Sequence, residues 1–306
     1  MRYTTDIPKL DQPSAVALGL FDGLHRGHRE VIRQAVACGP ELFPTVFTFT
    51  FDDPDRITKP HFAAILSPER KRAILENLGV ELVCEPPFSA FRDLEPEAFF
   101  AEMLRDRLNA RAVFCGPDFR FGRNARGDAA LLGALCREAG GIRFETVPAL
   151  LEDGAPVSST RIRELLREGD PEGAARLLGE RYAIDFPVVH GRQLGRKMGY
   201  PTINQLYPAG SLLPRFGVYA TLAAIDGKEW MGVTNVGVKP TIAGGDAPSA
   251  ETYLLDYHGD LYGRRVTLSF VSFLRPERKF GSVEELFRQI AADADTAKAR
   301  LTPLLG

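Results

Sequence analysis

The sequence predicts two folded units in tandem: an α/β unit built on a parallel sheet, then an antiparallel β-barrel followed by one C-terminal helix. Three observations point there. In the first half, short apolar or β-branched runs alternate with helical stretches, the pattern of a parallel sheet covered by helices. After about Gly179 the helices give way to short strands broken by Gly and Pro, as in an antiparallel barrel. Near the end, Ser282 precedes Glu285 by three residues, a capping-box opening for a last helix. A length of 306 residues suits two domains, and the change of character places the boundary near 181–186, giving domains 1–181 and 182–306.

Taken in order, Ala15 to Leu18 is an apolar run that predicts a buried strand, and Arg29 to Val36 predicts a helix after it. Thr45 to Phe51 is β-branched and aromatic, hence a strand. Ser67-Pro68-Glu69 carries a helix N-cap with Pro at the first turn, and Gly79 supplies the stop. Val80 to Cys84 predicts a strand, and Glu95 to Leu108 a helix with Phe99, Phe100, Met103 and Leu104 facing the core. Val113 to Gly116, Ala129 to Ala139 and Ile142 to Val147 continue as strand, helix, strand. In the second half the strand signals are Val188 to Val189, Gly217 to Ala224, Trp230 to Val236, Glu251 to Asp256 and Val266 to Phe273.

Composition narrows the function. Hydrophobic residues make up 44% and charged residues 25%, as in soluble globular proteins. A formal net charge of −2 gives no reason to expect nucleic acid or a membrane surface as partner. No apolar run is long enough to span a bilayer, and the first residues, MRYTTDIPKLDQ, lack the apolar core of a signal peptide. The four cysteines (Cys38, Cys84, Cys115, Cys136) form no CxxC pair, which fits a reducing compartment; a cytoplasmic enzyme is expected.

Chemistry concentrates in a few runs. GLFDGLHRGH, Gly19 to His28, joins the first buried strand to the first helix. Its glycines allow a tight turn, and a helix start offers free N–H groups and positive partial charge to phosphate. His25 and His28, three apart, share one face. A nucleotide triphosphate site, a plain turn and a metal pair all fit these letters. There is no GxxxxGK[ST] and no GxGxxG; GRNARGD at 122–128 has Asp where a P-loop has Lys. GPDFRFGRNARGD, Gly116 to Asp128, lies beyond another strand end and is either a ligand loop or a solvated basic loop. SSTRIR, Ser158 to Arg163, opens a helix and is either a phosphate contact or an ordinary N-cap. In GRQLGRKMGYPTIN, the glycines at 191, 195 and 199 permit a backbone wrap around phosphate. Thr202 and Asn204 alternate on an extended segment and carry hard oxygen donors suited to Mg²⁺; a Pro-Thr turn is the plainer account.

The order GxFDGxHxGH, GxDFRFG, SSTxIR resembles the N-terminal half of bacterial bifunctional riboflavin kinase/FMN adenylyltransferases (FAD synthetases). That half is a Rossmann-like nucleotidyltransferase of the HxGH type. In the second half, YPTIN at 200–204, GVTNVGVKPTI at 232–242, ETYLLDYHGDLYG at 251–263 and LRPERKF at 274–280 resemble that family's kinase motifs. The resemblance runs from about residue 14 to 295. It implies ATP-dependent phosphorylation of riboflavin to FMN in the barrel, then adenylyl transfer from ATP to FMN, with Mg²⁺ as cofactor. It implies that Gly19, Phe21, Asp22, Gly23, His25, His28, Asp118, Ser159, Thr160 and Arg163 meet ATP in the first domain, with His25 and His28 stabilising the transition state. It implies that Gly191, Gly195, Gly199, Thr202 and Asn204 hold ATP and Mg²⁺ in the second, with Glu251 as general base. The departures are mild: Leu20 for a common Asn, Lys239 for Arg, Tyr200 for Phe, Ile203 for Ala, and Gln205 where an apolar residue is usual. The expected partners are riboflavin, FMN and ATP, with neither nucleic acid nor membrane.

Overall fold

The computed structural model describes residues 1–51, 63–191, 201–240 and 246–305; for 239, 240 and 246 only the backbone is described. The chain divides into two compact units, one of 1–62 with 68–158 and one of 63–67 with 159–306.

The first unit is a six-stranded parallel sheet of order β1-β4-β3-β2-β5-β8. Its strands and helices alternate along the chain: β1 (Arg2–Thr4), β2 (Ser14–Leu18), α1 (Arg26–Val36), β3 (Phe43–Phe47), α2 (Pro68–Asn77), β4 (Leu82–Cys84), α3 (Pro96–Ala98), β5 (Ala110–Cys115). Two two-residue strands, β6 (Arg120–Phe121) and β7 (Gly127–Asp128), pair antiparallel ahead of α4 (Ala129–Ala139). β8 (Arg143–Thr146) completes the sheet, and β9 (Leu151–Glu152) and β10 (Ala155–Pro156) pair beyond it. The central strand β2 is buried along its whole length, the unalternating pattern that helices on both faces demand. The predicted elements are present with shifted ends: the strand beginning at Thr45 leaves the ladder after Phe47, and beyond it the pairing continues as isolated bonds, Thr48 N–H to Cys84 O at 2.9 Å and Thr50 N–H to Pro86 O at 3.1 Å. Pro68 opens α2 and Gly79 takes a φ of +88° beyond its end, as expected. The stretch Phe99–Arg107 after α3 is wound with the wider i→i+5 bonding, closed by Leu108 N–H on Met103 O at 3.0 Å; Phe99, Phe100, Met103 and Leu104 are buried on it as predicted.

The second unit opens with α5 (Ser159–Glu168) and α6 (Pro171–Leu178). This division falls earlier than the 181–186 suggested by composition. The reason is packing: Arg215 donates its N–H to Leu166 O (2.9 Å) and its guanidinium to Glu168 O (3.2 Å), and α6 lies on a strand of the same unit. Seven antiparallel strands follow: β11 (Ala183–Ile184), β12 (Val188–Val189), β13 (Thr202–Leu206), β14 (Gly217–Ile225), β15 (Lys228–Pro240), β16 (Asp246–Leu254) and β17 (Thr267–Arg275). Their order is β11-β17-β14-β15-β16-β13-β12, so the two edges are strands that follow one another in sequence. Only residues 185–187 separate them, and four Cα steps reach at most about 14 Å, so the sheet must curl until its edges approach. Pro187 bridges Arg265, and Val188 N–H bonds Arg264 O at 2.9 Å across that gap. Gln205 explains itself here: its buried Nε2 donates to Phe186 O (2.6 Å) and Val266 O (2.8 Å), stitching the closure where an aliphatic residue would leave two carbonyls bare.

The last helix, α7 (Val283–Leu301), is capped as expected by Ser282, whose Oγ accepts from Glu285 N–H at 3.1 Å; the Glu285 carboxylate reaches back to Gly281 N–H at 3.0 Å. Ala297 and Leu301 bury against Val218, Ala220, Leu222 and Val233.

Candidate active sites

The first site forms where β2 ends and α1 begins. Gly19 stays a glycine because a Cβ there would sit 2.9 Å from the Phe21 ring. The turn then uses three left-handed residues, Phe21 (φ 52°), Gly23 (φ 80°) and Leu24 (φ 43°), of which only Gly23 adopts that region freely. Phe21 is buried and presents its ring edge-on to His28, 5.4 Å between centroids. His25 is the N-cap of α1; its Nδ1 accepts the His28 backbone N–H at 3.2 Å. That bond fixes the tautomer: Nδ1 carries the lone pair, so Nε2 carries the proton and is free to donate. The two imidazoles stack at 3.5 Å and 19°. Burial holds the His25 ring down to about 4. His28 is held well below the ordinary range by burial first, then by the charges of His25 and Lys71. Both rings are therefore neutral at pH 7 and act as hydrogen-bonding groups. His28 Nδ1 is buried with no partner in the protein, while the Asp22 carbonyl takes a hydrogen bond from its ring.

Beside Gly19 opens a cavity of about 420 Å³ walled by Phe47, Phe49, Phe88, Phe91, Phe99, Phe119 and Phe121, with Arg92, Asp93 and Arg120 also lining it. The remaining predicted residues of this site are placed as follows. Asp118 is exposed in the turn after β5. Ser159 and Thr160 form the first turn of α5. Arg163 on the same helix is buried and gives its Nε to Ala63 O at 2.9 Å. Sequence reading missed Lys71, Glu85 and Thr48, buried polar groups drawn from three separate segments and joined only by the fold.

The second site lies on the curled sheet. Antiparallel register sets Asn204 of β13 opposite Glu251 of β16, and Glu251 opposite Asn235 of β15. Directly opposed residues share a face, so Asn204, Glu251 and Asn235 form a row. Thr202, two residues along, donates its hydroxyl to Glu251 Oε1 at 3.0 Å. Gly191 cradles Asn204: a Cβ at 191 would lie 2.5 Å from its Nδ2. Asn235, unremarked in the sequence, donates Nδ2 to Glu277 Oε1 at 2.9 Å. Thr202 also lines a cavity of about 390 Å³ with Leu254, Tyr257, His258, Asp260 and Tyr262. Gly195 and Gly199 lie outside the described residues, as does the Lys239 side chain. Three oxygen-bearing side chains converge here, Thr202, Asn204 and Glu251, a hard donor set that fits Mg²⁺.

A two-unit α/β and curled-antiparallel architecture, with a histidine pair at one helix start and a carboxylate set among Thr and Asn in the other unit, defines a nucleotide-using transferase with two centres. Residues 7–161 match the family model described as FAD synthetase, and residues 178–301 match riboflavin kinase. A bifunctional riboflavin kinase/FMN adenylyltransferase of Pseudomonas fluorescens is 36% identical over 94% of this chain and 92% of its own length. The enzyme of the same description from Listeria monocytogenes is 33% identical over 96% and 93%. A solved structure described as a macrolide-efflux protein from Streptococcus pneumoniae has 29% identity and a TM-score of 0.83, covering 97% of this chain and 98% of that one. Among the described residues no helix is long and apolar enough to cross a membrane. The chain belongs to the bifunctional riboflavin kinase/FMN adenylyltransferase family.

Proposed function

We infer that this protein phosphorylates riboflavin to FMN and adenylylates FMN to FAD, each step consuming ATP. The observation that carries the reading is that each unit holds its own set of reacting groups: the stacked His25–His28 pair in one, and Glu251 with Thr202 and Asn204 in the other. We take 1–181 as the adenylyltransferase and 182–306 as the kinase, counting α5 with the former because Ser159, Thr160 and Arg163 complete its third motif.

For adenylyl transfer the FMN phosphate is itself the nucleophile, so catalysis reduces to alignment and charge stabilisation at the α-phosphorus and the departing pyrophosphate. His25 Nε2–H donates to phosphate oxygen, and backbone N–H groups at the start of α1 supply further donors; Ser159, Thr160 and Arg163 are nucleotide contacts of the third motif. The phenylalanine-walled cavity suits the flat isoalloxazine ring, and the Arg92 and Arg120 side chains in its lining suit the FMN phosphate.

In the kinase, Glu251 accepts the proton of the riboflavin 5′-hydroxyl as that oxygen attacks the γ-phosphorus. The Thr202 hydroxyl orients the carboxylate. Thr202 and Asn204 would hold Mg²⁺, which would supply charge neutralisation to the ATP phosphates. Four free cysteines fit a reducing compartment, which supports reading the enzyme as cytoplasmic.

The test is separation of activities in the full chain, with riboflavin, FMN and FAD resolved by chromatography. His28→Ala abolishes FAD formation from FMN and leaves riboflavin phosphorylation intact. Glu251→Gln does the reverse. Loss of both activities together in either folded variant would overturn the two-centre assignment.

A further inference from the structure

Lys71 on α2 is mostly buried beside Glu85, whose carboxylate is buried too. A buried ion pair is a weak source of stability, since desolvation offsets most of the attraction, so its presence here calls for another reason. The ammonium donates to Glu85 Oε1 (2.6 Å), Thr48 Oγ1 (3.2 Å) and Leu20 O (3.4 Å). An ammonium has three N–H groups, and these three acceptors use all of them; none is left for a phosphate. The fully buried Thr48 turns its own hydroxyl onto Leu20 O at 2.8 Å. Tyr3 completes the set by donating to Glu85 Oε2 at 2.9 Å.

Two donors thus converge on the Leu20 carbonyl, the peptide group directly before Phe21. Phe21 and Leu24 are held at φ 52° and 43°, a left-handed conformation that strains non-glycine residues. Such strain persists only where surrounding bonds over-determine it. The turn so held runs straight into His25, the cap of α1.

We propose that Lys71 is a positioning residue for adenylyl transfer: with Thr48 and Glu85 it clamps the Leu20 carbonyl, locks the left-handed turn that aims His25 and His28, and sets a fixed positive charge beside them without touching the nucleotide. The assignment rests on the reading of His25 and His28 as adenylyl-transfer residues.

Among the described residues, few ionisable groups act on His28. His25 on its own helix and Lys71 from α2 act on its ring, and Asp22 lies in the same turn. Of the strands packed under α1, β2 and β3 carry no ionisable side chain, and β5 carries Arg111 and Cys115. Removing the Lys71 charge therefore raises the proton affinity of His28, and leaving Glu85 uncompensated raises it further.

The experiment uses the full chain with Lys71→Met, Lys71→Arg, Thr48→Val and, as control, His28→Ala. Lys71→Met lowers kcat for FAD formation by about 10- to 100-fold, the effect of a misaimed group. The KM for ATP stays within about threefold, because a positioning residue makes no ground-state contact. Riboflavin phosphorylation is unchanged. The His28 imidazole titration, followed by NMR, moves up by about one pH unit. Lys71→Arg restores that titration, since it restores the charge. Thr48→Val, which keeps the charge and loses half of the clamp, lowers kcat without moving the titration. If Lys71→Met lacks a cooperative melt, Lys71→Met/Glu85→Gln, with both charges removed, carries the kcat measurement. A folded variant with unchanged kcat, or a loss confined to the ATP KM, would overturn the proposal. FAD synthesis surviving in His28→Ala would instead overturn the reading of the histidines, which separates the two failures.

Discussion

His25 and His28 lie ring over ring, 3.5 Å between centroids, with the His25 Nδ1 capping the helix that carries His28. Each imidazole is neutral in the fold although an exposed histidine titrates near 6.5. A depressed histidine means that the unfolded chain binds the extra proton first, so stability is full above about pH 6.5 and is lost as pH falls from there toward about 4 for His25. The loss from His25 alone is about 3 kcal/mol across that window. Denaturant unfolding at pH 7 and pH 4.5 should show the drop, and His25→Gln should reduce it, leaving the part due to His28. Equal pH dependence in the two proteins would mean that the ring is not buried neutral.

The layout of both units was legible because hydrophobic period and turn chemistry are local. Gly79 after its helix, the Ser282–Glu285 cap and the buried run ending at Leu18 needed no tertiary knowledge. The wide winding at Phe99–Arg107 was not legible, since the four apolar residues on it suit an ordinary helix equally well. The two-residue strand β11 carries too few residues for any periodicity, whereas β12 falls on the expected Val188 to Val189 run; as neighbours in sequence at opposite edges the two decide that the sheet curls. At the sites, motif runs gave the histidines, Thr202, Asn204 and Glu251. The Lys71–Glu85 pair was invisible because its letters sit on a surface-patterned helix and a strand end, and only the parallel sheet brings them under the first turn. Asn235 stood inside a recognised run, but its alignment with Glu251 is a matter of register.

Gln205 is the polar exception that closes the curled sheet. Gln205→Leu keeps the volume but strands the Phe186 and Val266 carbonyls, at about 1–3 kcal/mol for each buried group left unbonded. The native Oε1 already lacks a partner, and its removal offsets part of that cost. The net loss is about 2 kcal/mol. Trp230, the sole tryptophan, lies on β15 of the same unit, so its fluorescence reports this melt directly. A midpoint unchanged in Gln205→Leu would show that the stitch contributes nothing.

Arg275 anchors the last helix to the sheet. From the end of β17 its guanidinium grips the buried carboxylate of Asp293 on α7, with Nε at 3.0 and 3.1 Å from the two oxygens and Nη2 at 2.7 Å; Gln289 adds a donor at 2.7 Å. The forked geometry is one that Lys cannot reproduce. Arg275→Met leaves a buried carboxylate without its cation, and the loss should be about 3–5 kcal/mol. Arg275→Met/Asp293→Leu removes both charges and extends the apolar seam of Val218, Ala220, Leu222, Ala297 and Leu301, so it should recover most of that loss. Thermal melts of the two variants test this. If the double variant is as unstable as the single one, the energy resides in the pair itself, and the claim that Arg275 chiefly relieves a buried Asp293 is wrong.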